Sequence, residues 1–363
     1  MNENLAVSAT LTPLATQLSA GASRILLMDY CGAITPRQLD APTLETAALV
    51  RGAAAHDLGW MRRVEARGED RLRWLSGMVT NTVKDIPENG GAWNLVLNSQ
   101  GRIQGDLTVW RDGDALALTI AADQYEKLMA HLDRFIIMDD VELFAHDVTA
   151  ETAVGLTGPK ASEVLGRMGL PVPSEPMAGL RCEWNGFELT VRRTFGTLAQ
   201  HFEIWTPVPG LMLLWRALST AGASPVGAAS FEAFRVTEGI PAYGADIVER
   251  DLPQETSQTR ALHFNKGCYL GQEIVERIRS RGNVRRHLRQ LELAGPLPLA
   301  GTDVQLDNTS IGHITSAAEL SLESGIRRFA LAMIRADAEA KNQPLSYGNK
   351  EGTATILAQP PAL

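Results

Sequence analysis

Cysteine is scarce in this chain, with only Cys31, Cys182 and Cys268 among 363 residues. The number is odd, the spacing wide, and none of the three belongs to a CxxC or Cys/His ligand pattern. The sequence therefore supports neither a disulfide framework nor a structural zinc site. Long apolar runs are missing too: no window of eighteen uninterrupted apolar residues occurs, so no transmembrane helix is predicted. Met1-Asn2-Glu3-Asn4 lacks the positive segment and compact apolar core of a secretory signal, which predicts a cytoplasmic location. Basic charge is in deficit, with 34 Lys and Arg against 42 Asp and Glu and a net charge of −8. Bulk affinity for nucleic acid is not expected of such a surface. Neither an internal repeat nor a low-complexity tract is found.

What is present is the composition of a globular protein, 45% hydrophobic and 21% charged, in a chain long enough for two or three domains. Residues 1–40 hold only short apolar patches such as Ile25-Leu26-Leu27-Met28 and are expected to form a helix plus a loosely tied arm. From Thr43 onward, Leu44, Ala47, Ala48 and the run Val50–Ala55 are spaced as a helix, and His56–Trp60 then enters a strand. A second helix begins near Asp70 and stops at Gly77. Ala92–Leu97, Leu107–Trp110 and Ala115–Ile120 read as an antiparallel meander joined by Asn98-Ser99-Gln100-Gly101 and Arg111-Asp112-Gly113-Asp114. A helix over 123–138 and a strand at Val141–Phe144 complete an α+β unit.

A second unit follows from Ala153 in the order strand, helix (Ala161–Met168), two strands (Phe187–Arg193 and His201–Thr206) and helix (211–221). This order resembles a ferredoxin-like half. Beyond Arg286, short strands at Leu288–Leu293, Asp303–Leu306, Ser310–Thr315, Phe329–Ile334 and Thr353–Leu357 predict a small terminal β-barrel.

Chemistry concentrates between Phe234 and Arg289. In Arg235-Val236-Thr237-Glu238-Gly239-Ile240-Pro241-Ala242-Tyr243-Gly244, two glycines bracket a proline and shape a loop where backbone can approach a flat ligand. Farther on, Phe264-Asn265-Lys266-Gly267-Cys268-Tyr269-Leu270-Gly271-Gln272-Glu273 is a glycine-punctuated turn feeding a helix. The helix N-terminus and Lys266 would together favour an anion or a thiolate at Cys268. The same residues also fit a small buried cysteine with Gln272 and Glu273 as capping groups. Arg277, Arg279, Arg281, Arg285, Arg286 and Arg289 fall within thirteen residues free of Asp and Glu. Guanidinium forks suit carboxylates and phosphates, so Arg277 and Arg285 are candidate anion contacts, for a folate's glutamyl tail or, less expectedly, RNA. A solvated helix face with acidic neighbours from elsewhere in the fold explains the cluster equally well.

Lys266–Glu273, KGCYLGQE, resembles the KGCYxGQE signature of YgfZ-like proteins, a branch of the folate-binding family related to the glycine-cleavage T-protein. Leu252-Pro253-Gln254-Glu255, Arg281-Gly282-Asn283-Val284-Arg285-Arg286, Met78-Val79-Thr80-Asn81 and Leu97–Leu107 resemble the surroundings, so the likeness spans the chain from about residue 45. It implies two ferredoxin-like units and a C-terminal barrel around a central opening. The expected boundaries are an extension at 1–44, a folate-binding unit from 45–150 with 225–287, a second unit at 151–224 and the barrel at 288–363. Tetrahydrofolate or a derivative is the implied cofactor.

In this branch the implied role is iron–sulfur cluster assembly or repair in client enzymes, with such proteins as partners. True T-proteins instead transfer an aminomethyl-derived carbon to folate. Two features of theirs are altered here. Their paired acids in a GGIxDDL-like run become Gly101–Leu107 with only Asp106 retained, and their RLExG glutamate aligns with Thr237, leaving Glu238 one place away. The resemblance and the residues together nominate Cys268 and Asp106 for chemistry. Glu238, Lys266, Gly267, Tyr269, Gln272, Glu273, Arg277 and Arg285 are nominated for ligand binding, with Trp93 and Trp110 either lining the opening or sitting in the core. Three functions stay open: a folate-binding accessory protein, a one-carbon transferase, or a non-catalytic interaction module.

Overall fold

A computed structural model describes residues 9–21, 25–282, 284–341 and 343–363. Its architecture is mixed α and β, with three open sheets and a closed six-stranded barrel. The predicted meander forms the first large sheet, in the order Gly91–Leu97, Ile103–Asp112, Ala115–Ala121, Met61–Arg67 and Glu142–Ala145. Alternation of buried and half-buried positions along Ile103–Asp112 turns Leu107 and Val109 inward, as the two-residue period of a strand requires. Helices Arg71–Met78 and Ala122–Asp133 lay Trp74, Leu75, Leu128 and Leu132 on that face. The latter helix ends at Asp133, short of the expected 138. There the Phe135 N–H turns back to Leu132 O, and Phe135 O accepts from the Trp74 indole.

The second sheet runs Ala178–Trp184, Phe187–Thr194, His201–Pro207, Glu151–Thr157, Ala54–Asp57 and Ser224–Pro225. Helices Ala161–Arg167 and Leu211–Thr220 close its core through Val164, Leu165, Leu211, Leu214 and Leu218. Ala54–Asp57, which sequence order assigns to the first unit, pairs antiparallel with Glu151–Thr157. The helix before it stops at Arg51, so Ala54 and Ala55 belong to the strand. Their small side chains fit a strand buried on both faces, where every residue from Ala54 to Asp57 is buried. The unpredicted strand Ala178–Trp184 lies at the sheet edge and exposes Leu180 and Arg181, a pattern with no clean alternation to read.

Residues 9–38 differ most from expectation. Helix Pro13–Ser19 is present, but Leu26–Tyr30 and Ala33–Gln38 form a hairpin that Thr10–Leu11 joins in parallel. This segment is tied down from inside: the Thr12 and Thr35 hydroxyls both donate to the buried Asp57 carboxylate, and Tyr30 donates to Glu232 at 3.0 Å. A buried carboxylate needs such donors, and three of them reach Asp57 once the Gly59 N–H is included.

The barrel closes in the order Arg286–Ala294, Gly325–Arg335, Thr309–Leu322, Asp303–Leu306, Leu345–Tyr347 and Gly352–Ile356. Only the three-residue strand Leu345–Tyr347 was not foreseen, being too short to show a period. At the hub, helix Ala228–Thr237 packs against both strand Ala33–Gln38 and the barrel strand Thr309–Leu322. Its Arg235 pairs with Asp246 at 2.7 Å and with Glu232 at 2.5 Å.

Candidate active-site cavity

A cavity of about 240 Å³ opens where the two large sheets, the N-terminal hairpin and the hub helix meet. It receives Tyr30 and Cys31 from the hairpin turn, Asp106 from the first sheet, and His56, Thr157, His201 and Glu203 from the second. The hub helix and the loop after it add Phe231, Glu238, Pro241 and Tyr243. Of the predicted site residues, the structure brings Asp106 and Glu238 together here.

Asp106 Oδ2 accepts from the Trp93 indole at 2.7 Å, and Oδ1 accepts from the Gln124 amide at 2.9 Å. Burial holds its carboxyl above the usual aspartate range, opposed by those two bonds and by the charge of Arg260. Such a group can stabilise a cationic amine beside it or act as a proton acceptor. Glu238 caps the hub helix, and its side chain is wholly buried. Its Oε1 accepts from the backbone N–H groups of Thr197, Leu198 and Ala199, and its Oε2 accepts from His201 Nε2 at 2.6 Å. Thr237, at the place of the T-protein glutamate, donates its hydroxyl to Ala233 O within the helix.

From Glu238 a chain of hydrogen bonds leads along the cavity wall. His201 Nε2 donates to the carboxylate, which leaves His201 Nδ1 to accept from the Thr157 hydroxyl at 3.1 Å. The Thr157 oxygen in turn accepts from His56 Nε2 at 3.0 Å. Burial, and then the nearby His201, lower His56 to about 3. The ring is therefore neutral, and its Nδ1 is buried without a partner among the described residues. His56 stacks on Phe231 with ring centroids 4.0 Å apart. Opposite it in the sheet stands Gly155, where a methyl carbon would lie 2.0 Å from the ring. Gly155→Ala is therefore expected to force the imidazole off Phe231 at a cost of about 1–3 kcal/mol. Urea denaturation measures this, and an unchanged stability would show that the ring moves freely.

Glu203 is 9% exposed and lines the same cavity. Trp205 Nε1 donates to its Oε2 at 3.0 Å, and Oε1 has no hydrogen-bond partner among the described residues. Burial raises the carboxyl, partly offset by Arg192 and the indole. A second compartment of about 180 Å³ shares Asp106 and Glu203 with the first and adds Trp93 and Arg260. Glu203, His201, His56, Tyr30, Cys31 and Arg260 escaped sequence reasoning. One signal was available, the alternation in His201-Phe202-Glu203-Ile204-Trp205, which puts a charged residue inside a core strand.

The other predicted residues lie elsewhere. Gly267 and Cys268 are exposed on the surface turn, and neither lines the cavity. Tyr269 is 8% exposed and packs with Leu95, Leu97 and Val275. Gln272 opens the helix that follows, donating its N–H to Tyr269 O. Glu273 pairs with Arg277 on the exposed face of that helix. Three more arginines of the cluster are matched by acids: Arg279 by Glu276, Arg286 by Asp251 and Glu255, and Arg289 by Glu339. Arg285 is exposed; Asn283, within the RGxVxR-like run, lies outside the described residues. Trp110 is core, with Arg192 over its ring, whereas Trp93 lines the second compartment.

Lys266 donates to Ser76 O at 2.8 Å and to Val79 O at 2.5 Å, anchoring the turn to the end of helix Arg71–Met78. Burial, and then the charge of Lys84, lower its ammonium to about 7. The group should therefore lose its proton as pH rises through neutrality, well below an ordinary lysine. Reductive ¹³C-methylation followed by an NMR titration is expected to show one resonance moving near pH 7 that is missing from Lys266→Arg. A midpoint near 10 would show that the two carbonyl bonds hold the proton.

Two large sheets that meet at a cavity, followed by a closed barrel, make up a fold shared with the glycine-cleavage T-protein. The crystal structure of the glycine cleavage system aminomethyltransferase T from Bartonella henselae superposes with a TM-score of 0.85, 19% identity and 96% of each chain covered. The chain belongs to the GCVT family: residues 30–266 match the GCVT N-terminal domain. An aminomethyltransferase of Rubrobacter xylanophilus is 29% identical over 84% of this chain and 82% of its own. A putative chloroplastic transferase of Arabidopsis thaliana is 24% identical over 87% of this chain and 72% of its own. Among the described residues no helix is long and apolar enough to cross a membrane, and no group of His, Cys, Asp and Glu could hold a metal ion.

Proposed function

We propose that the cavity binds a reduced folate, and that the protein supports iron–sulfur cluster assembly or repair in client enzymes, as its YgfZ-like signature implies. One observation carries the folate reading: a buried glutamate, Glu203, faces the cavity with one oxygen unpartnered. A pterin presents an N–H and an amino group side by side, which a carboxylate accepts as a pair. Tyr30, Trp60, Phe195, Phe231 and Tyr243 supply flat apolar walls for the ring. Exposure of Gly267 and Cys268 outside the cavity supports a role for this turn in meeting a client protein while the folate is held within. Isothermal titration with tetrahydrofolate is expected to show saturable binding at one site per chain. No heat at millimolar ligand would reject it. The accessory role is tested separately by restoring a cluster-dependent enzyme in cells lacking the native gene, where Cys268→Ala is expected to fail.

Transfer of an aminomethyl carbon is the second reading, favoured by Asp106, whose partly buried carboxyl faces the cavity where a ligand amine would sit. Folate-dependent turnover of an aminomethyl-lipoyl donor would support it; binding without turnover supports the accessory role.

A further inference from the structure

We propose that Arg260 reads an anionic tail on the ligand, its guanidinium pairing with a carboxylate on the arm that leads out of the cavity. The inference rests on the folate reading and names the part of the molecule that this chain selects for.

The guanidinium carbon lies over both the Trp93 and Phe195 rings, 4.4 and 3.9 Å from their centroids. Its Nε donates to the Gln258 side chain at 3.1 Å. Neither Nη has a hydrogen-bond partner among the described residues, and no carboxylate among them comes within ion-pair distance. Arg63, Arg235, Arg277, Arg286 and Arg289, by contrast, all meet carboxylates. A half-buried cation left without an anion is costly unless something completes it. Contact with two ring faces compensates part of that cost, and the Nε bond to Gln258 restrains the fork further. The free Nη edge is then a preoriented pair of donors, the geometry that matches a carboxylate.

Position supplies the second argument. Arg260 lines the smaller compartment, whose wall shares Asp106, Thr194, Phe195, Glu203, Ile240 and Pro241 with the main cavity. A ring held at Glu203 therefore has a route to Arg260 along one continuous wall. Trp93 joins the two ends, donating its indole N–H to Asp106 while its face lies on Arg260. Folates differ from simple pterins in carrying carboxylates at the end of such an arm. Burial lowers the guanidinium to about 10, with Asp106 and Glu238 opposing, so the group is still a cation at neutral pH.

The test compares two ligands in calorimetry: tetrahydrofolate, which carries the carboxylate tail, and 6-methyltetrahydropterin, which has none. The wild-type chain is expected to bind the tailed ligand more tightly. Arg260→Gln is expected to weaken tetrahydrofolate about 10- to 100-fold, the effect of losing a charged hydrogen-bonded pair, and to leave 6-methyltetrahydropterin unchanged. Arg260→Met keeps an unbranched stem between the two rings and carries the same expectation should the Gln variant fold poorly. Equal losses for both ligands, or no loss for either, would overturn the proposal. A wild-type chain that binds both ligands equally overturns the tail contact alone; one that binds neither overturns the folate reading as well.

Discussion

Glu238→Ala should be the most damaging single substitution in the cavity wall, lowering stability by about 3–5 kcal/mol in chemical denaturation. The side chain is fully buried and satisfies the N–H groups of Thr197, Leu198 and Ala199 together with His201. Deleting it leaves four donors without the acceptor they share. The loop 195–200, which carries Phe195 into both compartments, loses its anchor at the same time. Glu238→Gln can still accept from part of this set and should cost roughly half as much. A Glu238→Ala variant as stable as the wild type would show that the loop is held by something other than this carboxylate.

Glu203→Gln should leave the fold nearly intact, because the amide oxygen can still accept from the Trp205 indole. Affinity for tetrahydrofolate should fall about 10- to 100-fold, since the paired acceptor facing the pterin is replaced by one acceptor and one donor. The pH dependence has a definite sign. Burial raises the Glu203 carboxyl above 4.5, and the ionised form is the one that accepts two donors. Affinity should be full at neutral pH and decline as pH falls through that raised value, earlier than an exposed glutamate would dictate. The variant should lose this acid limb. Titration of both proteins across the acid range decides it, and an acid limb that persists in Glu203→Gln would assign the dependence to another group, such as Asp106.

Much of the fold was legible because its elements obey simple periods. The meander at Ala92–Ile120, the helix at Leu211–Thr220 and four of the barrel strands show alternation or helical spacing in the sequence, and the structure places them within a few residues. The failures have physical causes. The hairpin Leu26–Gln38 is tied by the Thr35 hydroxyl to Asp57, the carboxylate that also holds Thr12, a contact no local pattern encodes. Ala54–Asp57 joins the sheet of the second unit through pairing with residues a hundred positions away.

The site was legible only in part. Asp106 and Glu238 could be named because each stands next to a glycine-shaped loop with a family counterpart. The strongest motif, KGCYLGQE, drew attention to a surface turn. Much of what that motif does inside the fold is structural, with Lys266 pinned to two carbonyls and Tyr269 in the core. His56, Thr157, His201 and Glu203 come from three adjacent strands of one sheet and meet only because register places His56 beside Gly155 and Thr157 beside His201. Arg260 stands in the short 3-10 turn Thr259–Ala261, so nothing in the sequence sets it apart from the arginine cluster that follows.

The central claim is that the junction of the two sheets, and not the cysteine turn, receives the ring of the ligand. A crystal structure of the chain saturated with tetrahydrofolate tests this most directly. The bicyclic ring should lie within hydrogen-bond reach of Glu203, with its arm directed past Trp93. Ring density against Gly267 and Cys268, with the junction unfilled, would contradict it.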